Sequence, residues 1–202
     1  MSAPPATEPQ VASSPKVNWP VPPPEGFSAD DLDRIPDLPS HTELIDGSLV
    51  FVTPQKLFHW RVIRLLERRL AENLPEHLLV RGEMTVTIGP KQRPEPDVLV
   101  VRAESEESED VGTYPPDAVL LAVEVVSPDS MVRDRERKPQ IYAQAGIPHF
   151  WRVENDGGEP KVYVYELDPA TRTYVARGIH EDRLKVSSPF EIDIDLTEMH
   201  RM

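Results

Sequence analysis

Apolar residues recur with two different periods along the chain, and the alternation between them marks out a series of elements. Val62, Ile63, Leu66, Leu70 and Leu74 stand at helical spacing, while Arg61, Arg64 and Arg68 fall on another face. This pattern predicts an amphipathic helix over 58–74, stopped by Pro75. Ser28, with Asp31 three residues on and Leu32 and Ile35 beyond, predicts a short capped helix. Segments 42–45 and 48–52 predict a hairpin, because Asp46-Gly47 between them supplies two residues that tolerate positive φ. Strands are expected at 78–81, 84–88, 97–101 and 118–126, followed by a second helix over 134–145 that ends at Gly146 with Pro148 just beyond. Further strands at 150–153, 161–167 and 174–179 are separated by Asp156-Gly157-Gly158 and Asp168-Pro169. The expected fold is a mixed α+β domain with most of its helix on one side of the sheet.

Composition changes this picture mainly at the N-terminus. Ten of the 23 prolines fall within the first 39 residues, with little apolar material before Gly26. The expected organisation is a disordered Pro-rich arm over 1–27 and one folded domain over 28–202. The chain has no cysteine, which excludes a disulfide scaffold, a thiolate metal site and a cysteine nucleophile. No apolar run approaches the ~20 residues of a membrane span. A cytoplasmic location without a membrane partner is the expectation.

The formal charge of −13 argues at first against a nucleic-acid partner. Its distribution weakens that argument. The first 39 residues carry −4 and residues 104–129 carry −8, which leaves the remainder close to neutral. The run 104–110 reads as a solvated acidic loop. Basic clusters remain at Arg61/Arg64/Arg68/Arg69 and Arg133/Arg135/Arg137/Lys138, so binding to nucleic acid is expected to be weak and salt-sensitive rather than absent.

Candidate chemistry begins with Glu124, the only charge in the apolar run 118–126. Alternation places it on one face with Leu120, Ala122 and Val126. An unpaired carboxylate in such a strand is costly and needs a cation or a metal. Asp97 heads the other apolar strand, and antiparallel pairing would bring the two carboxylates to one point. Two carboxylates with open positions suit Mg²⁺ or Mn²⁺. Structural ion pairs to arginine would satisfy the same two residues. Asp134, Lys138 and Tyr142 lie at i, i+4 and i+8 on one helix face that a short loop returns toward Glu124. From there the Lys138 ammonium could orient an attacking water and offset charge on a pentacovalent phosphorane. Pro139 requires this helix to start near Asp134 or later. His59 is a candidate ligand or proton acceptor, or simply a cap.

Five elements in order carry a resemblance: Glu43-Leu-Ile-Asp-Gly47, Pro54 to His59, Pro96-Asp97, Val123-Glu-Val-Val-Ser-Pro128, and Arg133-Asp through Lys138, Tyr142, Gly146-Ile-Pro148 and Trp151. Together they resemble the Uma-two family of the PD-(D/E)XK nuclease superfamily, from about Leu44 to Asp195. The resemblance implies a restriction-endonuclease-like fold, with a mixed β-sheet flanked by helices and an additional antiparallel C-terminal meander. It also implies metal-dependent phosphodiester hydrolysis and a homodimer. Asp97 and Glu124 match the motif carboxylates, Val126 stands where the superfamily has lysine, and Lys138 holds the place of the displaced lysine. Glu43 and His59 match other recurrent positions.

The leading expectation is a Mg²⁺- or Mn²⁺-dependent endonuclease acting on DNA. In it Asp97, Glu124 and the Val125 carbonyl hold the metal, and Lys138 and His59 serve catalysis. Glu43, Asp134 and Tyr142 are accessory, while Arg61, Arg64, Arg68 and Arg133 contact nucleic acid. The alternative is a non-catalytic dimeric module of the same fold that binds nucleic acid or protein, with Asp97, Glu124 and Lys138 as a buried ion network.

Overall fold

The computed structural model describes residues 19–202 apart from Thr53 and Glu107, so residues 1–18 of the Pro-rich arm lie outside it. From 19 onward the chain rests on the hairpin of β1 (Thr42–Ile45) and β2 (Ser48–Phe51). Trp19 meets Phe51 at 4.7 Å between ring centroids, and Phe27 N–H donates to the Gly47 carbonyl. Phe27, Ala29 and Leu44 form a small apolar cluster there, next to helix α1 (Asp31–Arg34). Asp46 and Gly47 have φ of 52° and 75°. Both are left-handed, as the tight hairpin turn requires.

Helix α2 (Leu57–Glu72) leads into β3 (Leu78–Gly82), the short β4 (Thr85–Val86) and β5 (Val98–Arg102). After β6 (Thr113–Tyr114) comes β7 (Val119–Val125). A π-helical turn, Arg133–Arg137, then runs into α3 (Lys138–Ala145). The meander β8 (His149–Asp156), β9 (Glu159–Asp168) and β10 (Thr173–His180) follows, and a last hairpin pairs β11 (Arg183–Val186) with β12 (Ile192–Asp195). Six strands form the central sheet in the order β10-β9-β8-β7-β5-β3. Within this sheet β7 and β8 run parallel, joined by the α3 crossover, and its other pairs are antiparallel; the short β4 and β6 pair in parallel outside it. The α+β class and the C-terminal meander are as expected. The final hairpin is an element the sequence reading did not include.

Helix placement differs from expectation. Val62, Ile63, Leu66 and Leu70 of α2 pack on one face of the sheet with Val98, Val100, Leu121 and Val123. Ile141 and Tyr142 pack on the other face with Leu99, Val101 and Ala122. The helices therefore cover both faces, because β5 and β7 are apolar on both and each face needs a cover. Alternation along β7 also breaks. Opposite it, Val100 pairs with Leu121 and Val101 with Val119, so Leu120 is the extra residue of a bulge and packs toward α2 instead. Glu124 keeps the face of Ala122, but not that of Leu120.

The predicted acidic loop is tied down at one point. Arg81 forks onto Glu106 with contacts of 2.7 and 2.6 Å, and Tyr114 donates to the same carboxylate. No helix among the described residues is long and apolar enough to cross a membrane.

Candidate active site

The antiparallel register of β5 and β7 sets Val98 opposite Val123, which brings the residue before β5 beside the C-terminal end of β7. Asp97 accordingly donates its N–H to the Val123 carbonyl, and its Oδ2 accepts the Val125 N–H at 2.6 Å. Its Oδ1 accepts from His59 Nε2 at 2.8 Å, across from the first turn of α2. Asp97 and Glu124 thus line one cleft of about 460 Å³, together with Glu43, His59, Asp134 and Lys138.

Lys138 is the centre of the buried part. Its Nζ lies 2.7 Å from Glu43 Oε1, 2.8 Å from Glu124 Oε2 and 3.6 Å from Asp134 Oδ1. Tyr142 OH donates to Glu124 Oε1 at 2.6 Å. The contributors come from three elements: Glu43 from β1, Glu124 from β7, Lys138 and Tyr142 from α3. Pro139 is accommodated by the π turn before it, in which Lys138 N–H reaches back five residues to the Arg133 carbonyl. The helical chain therefore starts before Asp134 and still tolerates the proline. The turn also leaves Asp134, Lys138 and Tyr142 on the face predicted from their spacing.

Charge in this cluster is unbalanced. Four carboxylates (Glu43, Asp97, Glu124 and Asp134) act on a single ammonium. Burial pushes the Glu124 carboxyl well up; Lys138 opposes this, and the neighbouring carboxylates add to it. Asp134 is raised for the same leading reason. Burial would lower Lys138, but Glu124, Glu43 and Asp134 outweigh it and hold the ammonium charged. Burial also opposes protonation of His59, and the Asp97 hydrogen bond and charge raise it nonetheless. Asp134 Oδ1 is buried and accepts no hydrogen bond.

These features fit a divalent cation. The donors are hard oxygens, four acidic side chains face one lysine, and Asp134 Oδ1 is buried with no hydrogen bond and only the Lys138 ammonium 3.6 Å away. Among the described residues no three acidic or imidazole side chains converge as a ready-made ligand set. That is no misfit for Mg²⁺, which is commonly held by one or two carboxylates with waters and substrate oxygens completing the shell.

The basic residues divide. Arg133 lines the cleft, with its buried Nε unpartnered. Arg64 pairs with Glu67 and Arg68 with Glu198, and both border a separate hollow with Trp60 and Met202. Arg61 is not part of the cleft wall, and its Nε too is buried without a partner. Sequence reasoning missed His41, Glu83 and Glu95, which share the cleft. Glu95 N–H donates to Glu43 Oε1 at 2.8 Å, and His41 Nδ1 lies 2.5 Å from Glu95 Oε1. A signal for Glu95 existed: in the extended stretch Pro94-Glu-Pro-Asp97, residues two apart share a side. Glu83, at φ 54°, gave none.

Comparisons with known proteins agree with this architecture. No curated protein matches the chain. Among solved structures, one described as a "putative nuclease belonging to DUF820 from Anabaena variabilis ATCC 29413" superposes with a TM-score of 0.61 at 14% identity. The match covers 87% of this chain and 98% of that one, and at this identity it bears on the fold alone. The model of the Uma2 family, described as "Putative restriction endonuclease", matches residues 29–198. With that match spanning nearly all of the described residues, the chain belongs to the Uma2 family.

Proposed function

We propose that the protein is a Mg²⁺- or Mn²⁺-dependent endonuclease that hydrolyses phosphodiester bonds in DNA, acting as a cytoplasmic homodimer. The observation that carries this reading is the convergence of Asp97 and Glu124 on one cleft, with the buried Lys138 ammonium 2.8 Å from Glu124. Asp97, Glu124 and the Val125 carbonyl would hold the cation, whose chemistry is to polarise the phosphate and make water a better nucleophile at neutral pH.

The chain's own groups do the rest. Tyr142 and Lys138 fix the two oxygens of Glu124, while His59 and the Val125 N–H fix those of Asp97. Both carboxylates are thereby set in place before substrate arrives. Lys138 carries a positive charge where negative charge develops on the phosphorane, in a site largely shielded from water. Glu43 holds Lys138 from the β1 side. Arg133 lends a further cation to the cleft wall.

The test is cleavage of supercoiled plasmid with Mg²⁺ or Mn²⁺ added. Asp97→Ala and Glu124→Ala are each expected to lower the rate at least about 100-fold. A wild type that cuts neither DNA nor RNA with either metal overturns the reading. One observation favours a second reading, a binding module without catalysis: every oxygen of Asp97 and Glu124 already has a donor or cation from the protein. Calorimetry separates the two, because the module gives no heat on addition of Mg²⁺ or Mn²⁺.

A further inference from the structure

The carboxylate cleft does not end at Asp97. It continues into a second hollow of about 330 Å³, with Val52, Pro54, Gln55, His59, Ser127 and Asp129 common to both. The second hollow is completed by the apolar Phe58, Val126, Pro128 and Met131 together with Lys56, Arg135, Glu154 and Asn155. Arg135 in turn borders a third hollow, of about 410 Å³, beside Pro139, Gln140, Ala143 and Gln144 of α3. Phe150, Tyr165 and Tyr174 line that hollow as a stacked group, and Arg152 and Arg172 edge it. Six shared residues join the first two hollows, and Arg135 alone, paired with Glu154, links the second to the third, so that the three adjoin in one track.

Arg152 is held by an ion pair to Glu154 and by the rings of Tyr163 and Tyr165, and it borders the third hollow. Its side chain is only 17% exposed, and its guanidinium lies 4.7 Å from the centroid of the Tyr163 ring. Its Nε is ion-paired with Glu154 at 3.0 Å, which leaves the terminal nitrogens of the fork as its remaining donors. Arg172 spends one nitrogen on the Gln144 carbonyl at 3.1 Å and has others free. Guanidinium forks beside aromatic rings match phosphate oxygens. By contrast, Arg64 and Arg68 are engaged by Glu67 and Glu198 and lie off the track.

We propose that the substrate is an unpaired nucleic-acid strand laid along this track: scissile phosphate at the carboxylates, an unstacked base in the second hollow, neighbouring phosphates on Arg152 and Arg172. The proposal rests on the phosphodiesterase reading above and names its substrate class. A base inside a duplex is stacked on both faces and cannot enter a side hollow without flipping, whereas a single strand offers it freely.

The test is fluorescence anisotropy in EDTA, which suspends cleavage, with a labelled single-stranded oligonucleotide and its matched duplex. The single strand is expected to bind at least about tenfold more tightly. Arg152→Gln and Arg172→Gln should each weaken binding and lower the slope of log K against log salt by about 0.7. The double variant Arg64→Gln/Arg68→Gln should bind as wild type. Arg172 sits in an exposed turn, so its variant remains informative if Arg152→Gln misfolds. Tighter duplex binding, wild-type binding by the Arg152 and Arg172 variants, loss confined to the Arg64/Arg68 variant, or no binding of either oligonucleotide each overturns the path. A wild type that cuts DNA but ignores these arginines overturns the path alone. One that binds as described but cuts nothing overturns the cleavage reading alone.

Discussion

At the residue scale, the cluster around Lys138 makes the sharpest claims. Removing the ammonium in Lys138→Met leaves Glu43, Glu124 and Asp134 buried without their cation. Breaking a buried pair in this way costs about 3–5 kcal/mol. Urea denaturation should show that loss, and an unchanged midpoint would mean the cluster is wetter than its burial indicates. Glu124→Gln keeps the contact with Tyr142, and its stability cost is expected to be well below that of Lys138→Met while cleavage is still lost. A second claim concerns pH. The hydrogen bond that His41 donates to Glu95 raises it above its ordinary value of 6.5, against an opposing effect of burial. A raised imidazole contributes its stability fully below about pH 6.5 and loses it as pH climbs through the raised value. The melting temperature of wild type should therefore exceed that of His41→Gln by more at pH 5.5 than at pH 8.5. An equal gap at both would remove the pair's role. Because His41 is nearly half exposed, the gap is expected to be small.

Among the elements, α3 is the one whose form decides the site. Its capping glycine was legible in the sequence, and Gly146 does adopt φ 86° with no atom within 4 Å of where a Cβ would stand. Gly146→Ala therefore probes backbone conformation alone. Its expected cost is about 1–2 kcal/mol, or a fall in melting temperature of about 2–4 °C per kcal/mol for a protein of this size. No loss would show that the cap relaxes. The helix face shared by Asp134, Lys138 and Tyr142 was legible too, since one spacing rule covers both α- and near-α geometry. The π turn was not. It answers the clash of Pro139 with the preceding turn, and a helix can answer such a clash by kinking, stopping or widening. Similarly, the apolar patterns of β5 and β7 marked both as buried strands and made their antiparallel pairing a condition of the site, but the Leu120 bulge depends on how two specific strands twist together. The unpredicted β11–β12 hairpin has only short apolar alternation, with Leu184, Ile192 and Ile194 buried against the α2 face. Its stability comes from that cover rather than from its own four-residue strands.

For the whole molecule, the relevant prediction links metal to folding. Binding to the native state alone stabilises it by RT ln(1 + [L]/Kd), about 2.7 kcal/mol at a hundredfold excess over Kd. Millimolar Mg²⁺ or Mn²⁺ should raise the melting temperature of wild type and leave Asp97→Asn unmoved; equal shifts, or none, would count against a site at Asp97. The charge of −13 no longer opposes such a function, since much of it lies in the N-terminal segment and in 104–129. Some of the rest is concentrated in the cleft itself, where Glu43, Glu83, Glu95, Asp97 and Asp134 gather. Local pattern determined most of the elements up to β10, the turn at Asp46-Gly47, the apolar strand carrying Glu124, and the fact that this carboxylate needs a partner. Those properties follow from residues within a turn or a strand of each other. Only the tertiary structure decided that Glu43 and Lys138 close around Glu124, that His59 holds Asp97, and that the helices cover opposite faces. It also set the hollow beside Arg152 next to the one that adjoins the Glu124 cleft. These contacts join residues far apart in the chain, and which of many arginines and glutamates meet is set by the packing of the sheet between its two layers, which no local spacing encodes.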